Sequence, residues 1–152
     1  MDMIQFLRDY KAVCLQAEAA DWKAAVKLGT SILERAGTIT PQYYTAICSS
    51  VEELGPYFLL GPGLAMPHAR PEQGVLADSF ALVTLKTPVN FGDPDNDPID
   101  ILLTMAAKSS QEQNETAIVQ VVELLDNEAR VAQLRAARTM ADLQAIFTSM
   151  KA

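Results

Sequence analysis

The only histidine of the chain, His68, is the residue whose type and surroundings best suit covalent chemistry. An unperturbed imidazole has a pKa of about 6.5, so it offers a neutral, nucleophilic nitrogen near neutral pH. Pro67 fixes the backbone path into His68, and Pro71 restricts Arg70. The Arg70 guanidinium is a fixed positive charge that could hold a phosphate. These residues are compatible with a nucleophile beside an anion-binding group, whereas a lone histidine in an arbitrary chain is more often structural.

Metal sites and nucleotide sites are not expected from this sequence. The chain has two cysteines, Cys14 and Cys48, far apart and outside any CxxC motif. Together with one histidine they offer fewer nitrogen and sulfur ligands than the about four that zinc requires. The run 93–97 begins like a calcium loop, but Pro98 and Thr104 stand where that motif needs Gly and Glu. We therefore expect no metal and no cofactor.

The charge and composition exclude several classes of function. The formal net charge is −7, which argues against nucleic acid as a ligand because phosphate neutralisation needs clustered Lys and Arg. No apolar run approaches the about 20 residues of a membrane span. Residues 1–9 lack the basic start and apolar stretch of a secretory signal. With unpaired cysteines, these features predict a globular, cytoplasmic protein.

The period of the apolar residues changes from helical to strand-like and back along the chain. We predict helices at 3–10, 22–36, 41–54, 117–125, around 131–134 and at 139–147, and strands at 13–18, 57–60, 80–85 and 99–107. In the third helix the expected buried stripe is Tyr44, Ile47, Cys48 and Val51. This order predicts an α/β fold: a single-domain sandwich, residues 1–152, with a central mixed β-sheet flanked by helices on both faces.

The segment from Gly55 to Glu72 resembles the active-site segment of the mannitol/fructose-type enzyme IIA family of bacterial sugar phosphotransferase systems. The hallmark of that family is a Pro-His pair after a Gly-containing turn. The run from Pro67 to Glu72, with the later Asn96-Asp97-Pro98, is most similar to the ascorbate-type branch. The resemblance extends roughly from Leu15 to Phe147.

The resemblance implies a phosphocarrier. In that family a histidine takes a phosphoryl group from phospho-HPr and passes it to a cysteine of enzyme IIB. The membrane component, enzyme IIC, then phosphorylates the incoming sugar, so the IIA protein meets IIC only indirectly and binds no sugar itself. Carried over, this makes His68 the phosphohistidine, through Nε2. Such transfers need positioning and charge stabilisation more than proton chemistry.

The chain departs from the family pattern at two positions. Asn114 stands where many members carry a second histidine, and Glu52 stands where many mannitol-type members carry an arginine. We expect Arg70 and Asn114 to support the phosphoryl group instead. These departures by themselves would suit a degenerate, regulatory member.

We also expect a partly exposed His68 in a shallow depression. Its apolar rim is expected to include Leu64 and Met66, which would contact the partner proteins.

Two alternatives to a transport phosphocarrier stay open on the sequence alone. One is a regulatory IIA-like domain that is phosphorylated but signals by binding partners. The other is an unrelated α/β binding module in which His68 is structural. A regulator accepts phosphate from HPr without passing it to IIB, and a structural His68 accepts none.

Overall fold

The apolar runs in the middle of the chain form the centre of a β-sheet in the computed structural model, which describes residues 2–150. The strands are β1 Val13–Ala17, β2 Leu59–Gly61, β3 Leu64–Ala65, β4 Ser79–Val89 and β5 Ile99–Ala106. The helices are α1 Met3–Asp9, α2 Trp22–Arg35, α3 Pro41–Leu54, α4 Ser110–Glu112, α5 Ile118–Leu125, α6 Glu128–Ala136 and α7 Met140–Met150. A short 3-10 helix covers Pro71–Gln73, and a π-helical turn at Gln113–Ala117 joins α4 to α5.

The sheet is mixed, as predicted, with the strand order β1-β4-β5-β3-β2. Strand β4 is parallel to β1 and antiparallel to β5, β5 is parallel to β3, and β3 is antiparallel to β2. Strand β4 buries residues 79–85 and 89, and β5 buries every residue but Asp100, which explains the apolar runs in these two strands. Helix α2 packs across β1, β4 and β5, while α1 and α6 pack against β4. The predicted α/β sandwich with helices on both faces is therefore confirmed.

Two helix starts follow the capping signals in the sequence. The Asp21 side chain accepts a hydrogen bond from the Ala24 N–H at 2.9 Å and caps α2. At the start of α7 the Asp142 N–H donates to Thr139 Oγ1 at 3.1 Å, and the Thr139 N–H donates to Asp142 Oδ2 at 3.2 Å. This reciprocal pair is a capping box with Asp in place of Glu.

Helix α2 approaches the sheet most closely at Gly29. A methyl group added there would lie 2.3 Å from Oγ1 of Thr104 on β5, well inside van der Waals contact. Glycine is required at this position by the close helix–sheet contact rather than by its backbone angles.

The buried face of α3 differs from the predicted one. In α3 the fully buried tyrosine is Tyr43, whereas Tyr44 is only partly buried. In α5 Val122 is 41% exposed, whereas Leu124 is fully buried. Spacings of three and four residues alternate along a helix, so a stripe inferred from one sequence can be displaced by one position. Within residues 2–150 no helix combines the length and apolarity needed to cross a bilayer.

Candidate active site

His68 lies in the loop that follows β3, at a surface cavity of about 660 Å³. The cavity is built from the end of α3, the segment around His68, the 3-10 helix and the π-helical turn. Its lining residues are Ser50, Glu53, Leu54, Tyr57, His68, Ala69, Arg70, Gln73, Gln113, Asn114 and Ile118. The His68 side chain is partly buried. A second protein could therefore reach the ring through the open side of the cavity.

One hydrogen bond defines the chemical state of the imidazole. Nδ1 of His68 lies 2.8 Å from the carbonyl oxygen of Met66. A carbonyl oxygen can only accept, so Nδ1 must carry the proton and the lone pair of the neutral ring lies on Nε2. Within residues 2–150 the only hydrogen bond of the ring is the one at Nδ1, so Nε2 has no partner there. The arrangement leaves Nε2 as the nucleophilic atom.

The surroundings of the ring keep it neutral near pH 7. Burial lowers the pKa of His68 below its ordinary value, and the hydrogen bond to the Met66 carbonyl opposes this only in part. Two aromatic rings provide much of the apolar surface: Tyr57 and Phe58 have centroids 5.5 Å and 6.3 Å from that of the imidazole. Desolvation by these rings disfavours the imidazolium, so the nucleophilic form dominates.

Hydrogen bonds to the residue before β2, to β5 and to α3 hold the backbone on both sides of His68. The Met66 N–H donates to the Phe58 carbonyl at 2.9 Å, and the Met105 N–H donates to the Pro67 carbonyl at 3.1 Å. The Ala69 N–H donates to the hydroxyl of Tyr43 at 3.0 Å. The loop is thereby fixed against β5 before any ligand arrives.

Three side chains at this site were not predicted from the sequence: Tyr43, Tyr57 and Gln113. The Tyr57 hydroxyl donates a hydrogen bond to the carbonyl oxygen of His68 itself, and Gln113 Nε2 donates to the Ala69 carbonyl at 3.4 Å. Gln113 begins the π-helical turn, a feature that often marks functional sites. The one signal for Tyr43 was its four-residue spacing from Ile47, and no local pattern marked Tyr57 or Gln113.

The structure brings Arg70 and Asn114 to the same cavity as His68. Both side chains are exposed, and Arg70 makes no ion pair within the described part of the chain. Arg70 is the one basic side chain other than His68 among the residues that line the cavity, and it shares the lining with the carboxylate of Glu53. A guanidinium and a neutral amide are thus available for an anion bound at Nε2.

Glu52 does not take part in this cavity. Its carboxylate forms an ion pair with Lys23 of α2. Many mannitol-type members carry arginine at the position of Glu52. In this protein that position links α3 to α2.

The predicted apolar rim of Leu64 and Met66 is wrong. Met66 is 4% exposed and packs in the core, because its N–H is paired with Phe58 and its side chain turns inward. Leu64 lies in β3 opposite Ile101 of β5 and does not line the cavity. The apolar lining comes instead from Leu54, Tyr57 and Ile118.

No cluster of three or more His, Cys, Asp or Glu side chains suited to a metal occurs within residues 2–150. Cys48 is buried in α3, and Cys14 is partly buried in β1. Burial is the largest influence on the Cys48 thiol and raises its pKa. Neither thiol lines the cavity of His68.

Comparisons with known proteins place this geometry in a family. The chain is 50% identical over 139 residues to the ascorbate-specific PTS system EIIA component of Shigella boydii, covering 91% of this chain and 90% of the relative. The crystal structure of a PTS IIA (PtxA) of Streptococcus mutans matches with a TM-score of 0.93 and 40% identity, over 99% of this chain and 96% of that one.

A solution structure of the mannitol-specific cryptic phosphotransferase enzyme IIA CmtB of Escherichia coli matches with a TM-score of 0.83 and 32% identity, over 96% and 97% of the two chains. A family model for the phosphoenolpyruvate-dependent sugar phosphotransferase system, EIIA 2, matches residues 6–150. The chain therefore belongs to the EIIA 2 family of the phosphoenolpyruvate-dependent sugar phosphotransferase system.

Proposed function

We propose that this protein carries a phosphoryl group on Nε2 of His68, which it receives from phospho-HPr and passes to a cysteine of enzyme IIB. The observation that carries the proposal is the hydrogen bond between Nδ1 and the Met66 carbonyl at 2.8 Å. It leaves the Nε2 lone pair of a neutral ring without a partner among residues 2–150, at a cavity that Arg70 also lines. A nucleophile in this state needs no base to activate it.

The transfer consists of two displacements on phosphorus. In the first, the Nε2 lone pair of His68 forms a bond to phosphorus, and the group on HPr leaves with the electron pair of the broken bond. In the second, the thiolate of IIB attacks phosphorus and Nε2 recovers its electron pair. The phosphorylated ring carries extra positive charge, which the Met66 carbonyl stabilises through the Nδ1 proton. The proton stays on Nδ1 throughout.

Arg70 and Asn114 stabilise the negative charge of the phosphoryl group during transfer. The transition state is largely metaphosphate-like, with negative charge spread over three oxygens, so fixed donors contribute more than proton transfer. Arg70 supplies a charged donor and Asn114 a neutral one. The carboxylate of Glu53 lines the same cavity, and its negative charge opposes that of the phosphoryl group.

We further propose that the partners belong to an ascorbate system. The relative from Shigella boydii is named an ascorbate-specific EIIA component and is 50% identical over 91% of this chain. The sugar itself would be bound by the membrane component IIC, which this chain would serve from the cytoplasm through IIB. No residue of this chain needs to recognise the sugar, and no cofactor is required.

Phosphorylation by purified components tests the first transfer. The protein is incubated with enzyme I, HPr and phosphoenolpyruvate and then measured by intact-mass spectrometry. We expect one phosphoryl group, stable in alkali and lost in acid, and none on a His68→Ala variant. An unmodified wild-type chain, or equal modification of the variant, would overturn the proposal.

The second transfer separates transport from regulation. Purified phosphoprotein is mixed with the cytoplasmic IIB domain of an ascorbate system and, as a control, with a mannitol-type IIB. We expect rapid transfer to the ascorbate-type cysteine. Phosphate that reaches His68 but moves to neither IIB would indicate a regulatory domain and refute the transport role.

A further inference from the structure

Two parts of Tyr57 contact His68. Its hydroxyl donates a hydrogen bond to the backbone carbonyl of His68, and its ring lies edge to face with the imidazole at an interplanar angle of 80°. Burial raises the pKa of the Tyr57 phenol, so the hydroxyl stays protonated and remains a donor. Yet the residue is 44% exposed, so the core does not require a tyrosine there.

Tyr57 and its neighbour Phe58 hold the loop on both sides of Pro67. The Phe58 carbonyl accepts from the Met66 N–H at 2.9 Å, and the Tyr57 hydroxyl donates to the His68 carbonyl. The two residues held in this way, Met66 and His68, are the ones that the hydrogen bond from Nδ1 of His68 to the Met66 carbonyl joins. Tyr57 and Phe58, which are consecutive in the chain, therefore fix both residues of the hydrogen bond between Nδ1 and the Met66 carbonyl. That hydrogen bond decides which ring nitrogen is nucleophilic.

The position of Tyr57 is itself set by a turn. Helix α3 ends at Gly55, which has a φ of +85°, and the Tyr57 N–H donates to the Gly55 carbonyl at 2.9 Å. A φ in this range favours glycine. The turn carries the chain from the helix to the imidazole, so that the Tyr57 ring lies 5.5 Å from it between centroids.

We propose that Tyr57 is a positioning residue for His68: its hydroxyl fixes the His68 peptide so that Nδ1 stays on the Met66 carbonyl and Nε2 stays directed into the cavity. The effect on phosphoryl transfer rests on the function proposed above, whereas the effect on the tautomer does not. Tyr57 acts through His68 and does not itself need to touch the phosphoryl group.

A different role for Tyr57 would be simple contact with a partner protein, since Leu54 beside it is 74% exposed. Two variants separate these roles. Tyr57→Phe keeps the ring and removes only the hydroxyl. Leu54→Ala removes an exposed apolar side chain from the same cavity, and that side chain has no polar group that could hold the His68 peptide.

The tautomer is measured first, by nitrogen-15 NMR of the single imidazole in the unphosphorylated protein. We expect the wild-type and Leu54→Ala proteins to hold the proton on Nδ1. In Tyr57→Phe we expect a mixture with the tautomer protonated on Nε2, because the freed peptide weakens the Nδ1 contact. An unchanged tautomer in Tyr57→Phe would overturn the proposal, whether or not phosphate is ever transferred.

Transfer kinetics give the second measurement. For Tyr57→Phe we expect kcat to fall about two- to tenfold with an unchanged KM for phospho-HPr, the range expected for one neutral hydrogen bond. For Leu54→Ala we expect the reverse, a raised KM and an unchanged kcat. A Tyr57→Phe protein with wild-type kcat and raised KM would show that Tyr57 serves partner contact, contrary to our proposal. A wild-type protein that accepts no phosphate would refute the proposed function while the NMR result still decided the role of Tyr57.

Discussion

The hydroxyl of Tyr43 joins the residue after the candidate nucleophile to the centre of the sheet. It accepts a hydrogen bond from the Ala69 N–H at 3.0 Å and donates one to the Met105 carbonyl of β5 at 2.6 Å. Tyr43 is fully buried, and burial raises the pKa of its phenol well above the ordinary value. One buried hydroxyl therefore satisfies two buried backbone groups.

We expect Tyr43→Phe to destabilise the fold by about 1–3 kcal/mol, because it leaves the Ala69 N–H and the Met105 carbonyl buried without their partner. Denaturant unfolding followed by circular dichroism measures the change. Tyr44→Phe is the matched control: near the surface, that hydroxyl makes a long contact of 3.4 Å to the Lys23 carbonyl and interacts with the Cys48 thiol, and it holds no backbone group of the site. Equal losses in the two variants would contradict the role assigned to Tyr43.

The depressed pKa of His68 makes a prediction for stability as a function of pH. The unfolded chain binds a proton near pH 6.5, whereas the folded protein binds it only at lower pH. Between these two pKa values the unfolded state holds more protons, so stability falls as the pH is lowered through that window. Above about pH 6.5 both states are neutral at this residue, and the His68 contribution is constant.

Unfolding free energies of the wild type and of His68→Gln across this window provide the test. Because His68 is the only histidine, the difference between the two curves isolates one titration. We expect the difference in unfolding free energy to shift against the wild type as the pH falls below about 6.5, and to stay constant above that pH. A difference that instead grows in favour of the wild type on acidification would mean that the folded state prefers the imidazolium.

The contact between Gly29 and Thr104 yields a prediction about packing. Thr104 Oγ1 is buried and has no hydrogen-bond partner within residues 2–150. Gly29→Ala would place a methyl group 2.3 Å from that oxygen, and overpacking of this kind costs about 1–3 kcal/mol. Thr104→Ala removes this unpaired oxygen and makes room for the methyl group of Gly29→Ala.

Thermal unfolding of the two single variants and the double variant tests the coupling. We expect Gly29→Ala/Thr104→Ala to be more stable than the sum of the single effects by about 0.5–3 kcal/mol, the range for residues in contact. Strict additivity would show that the strain of Gly29→Ala arises elsewhere.

The sequence predicted those parts of the site whose residues are close together in the chain. Pro67, His68 and Arg70 form one short run, and the periodic segments around it predicted the mixed sheet and most helices. The resemblance to the family then added Asn114, which does line the cavity.

The parts that sequence reasoning missed depend on contacts across the fold. Tyr43 and Gln113 reach Ala69 over 26 and 44 residues of chain, so no local spacing relates them. Met66 was misassigned because an apolar residue beside Pro67 can face either solvent or core, and its backbone pairing with Phe58 decides which. Strand β3 was missed because its two residues lie in a Gly/Pro-rich segment and pair only through tertiary structure.

Arg70 and Asn114 line one cavity with His68 but differ in charge, so their contributions to transfer should be unequal. A neutral hydrogen bond contributes about 0.5–1.5 kcal/mol and a charged one about 1.5–3 kcal/mol. We therefore expect Asn114→Ala to slow phosphorylation by phospho-HPr roughly three- to tenfold, and Arg70→Ala to slow it more, about ten- to a hundredfold. Asn114→His should speed transfer by adding a second imidazole beside His68. Rapid-quench rates decide this, with Gln111→Ala as the control because Gln111 lies outside the cavity and its side-chain amide donates to Glu115. If Asn114→Ala abolished transfer while Arg70→Ala matched Gln111→Ala, the amide rather than the guanidinium would be the main support of the phosphoryl group.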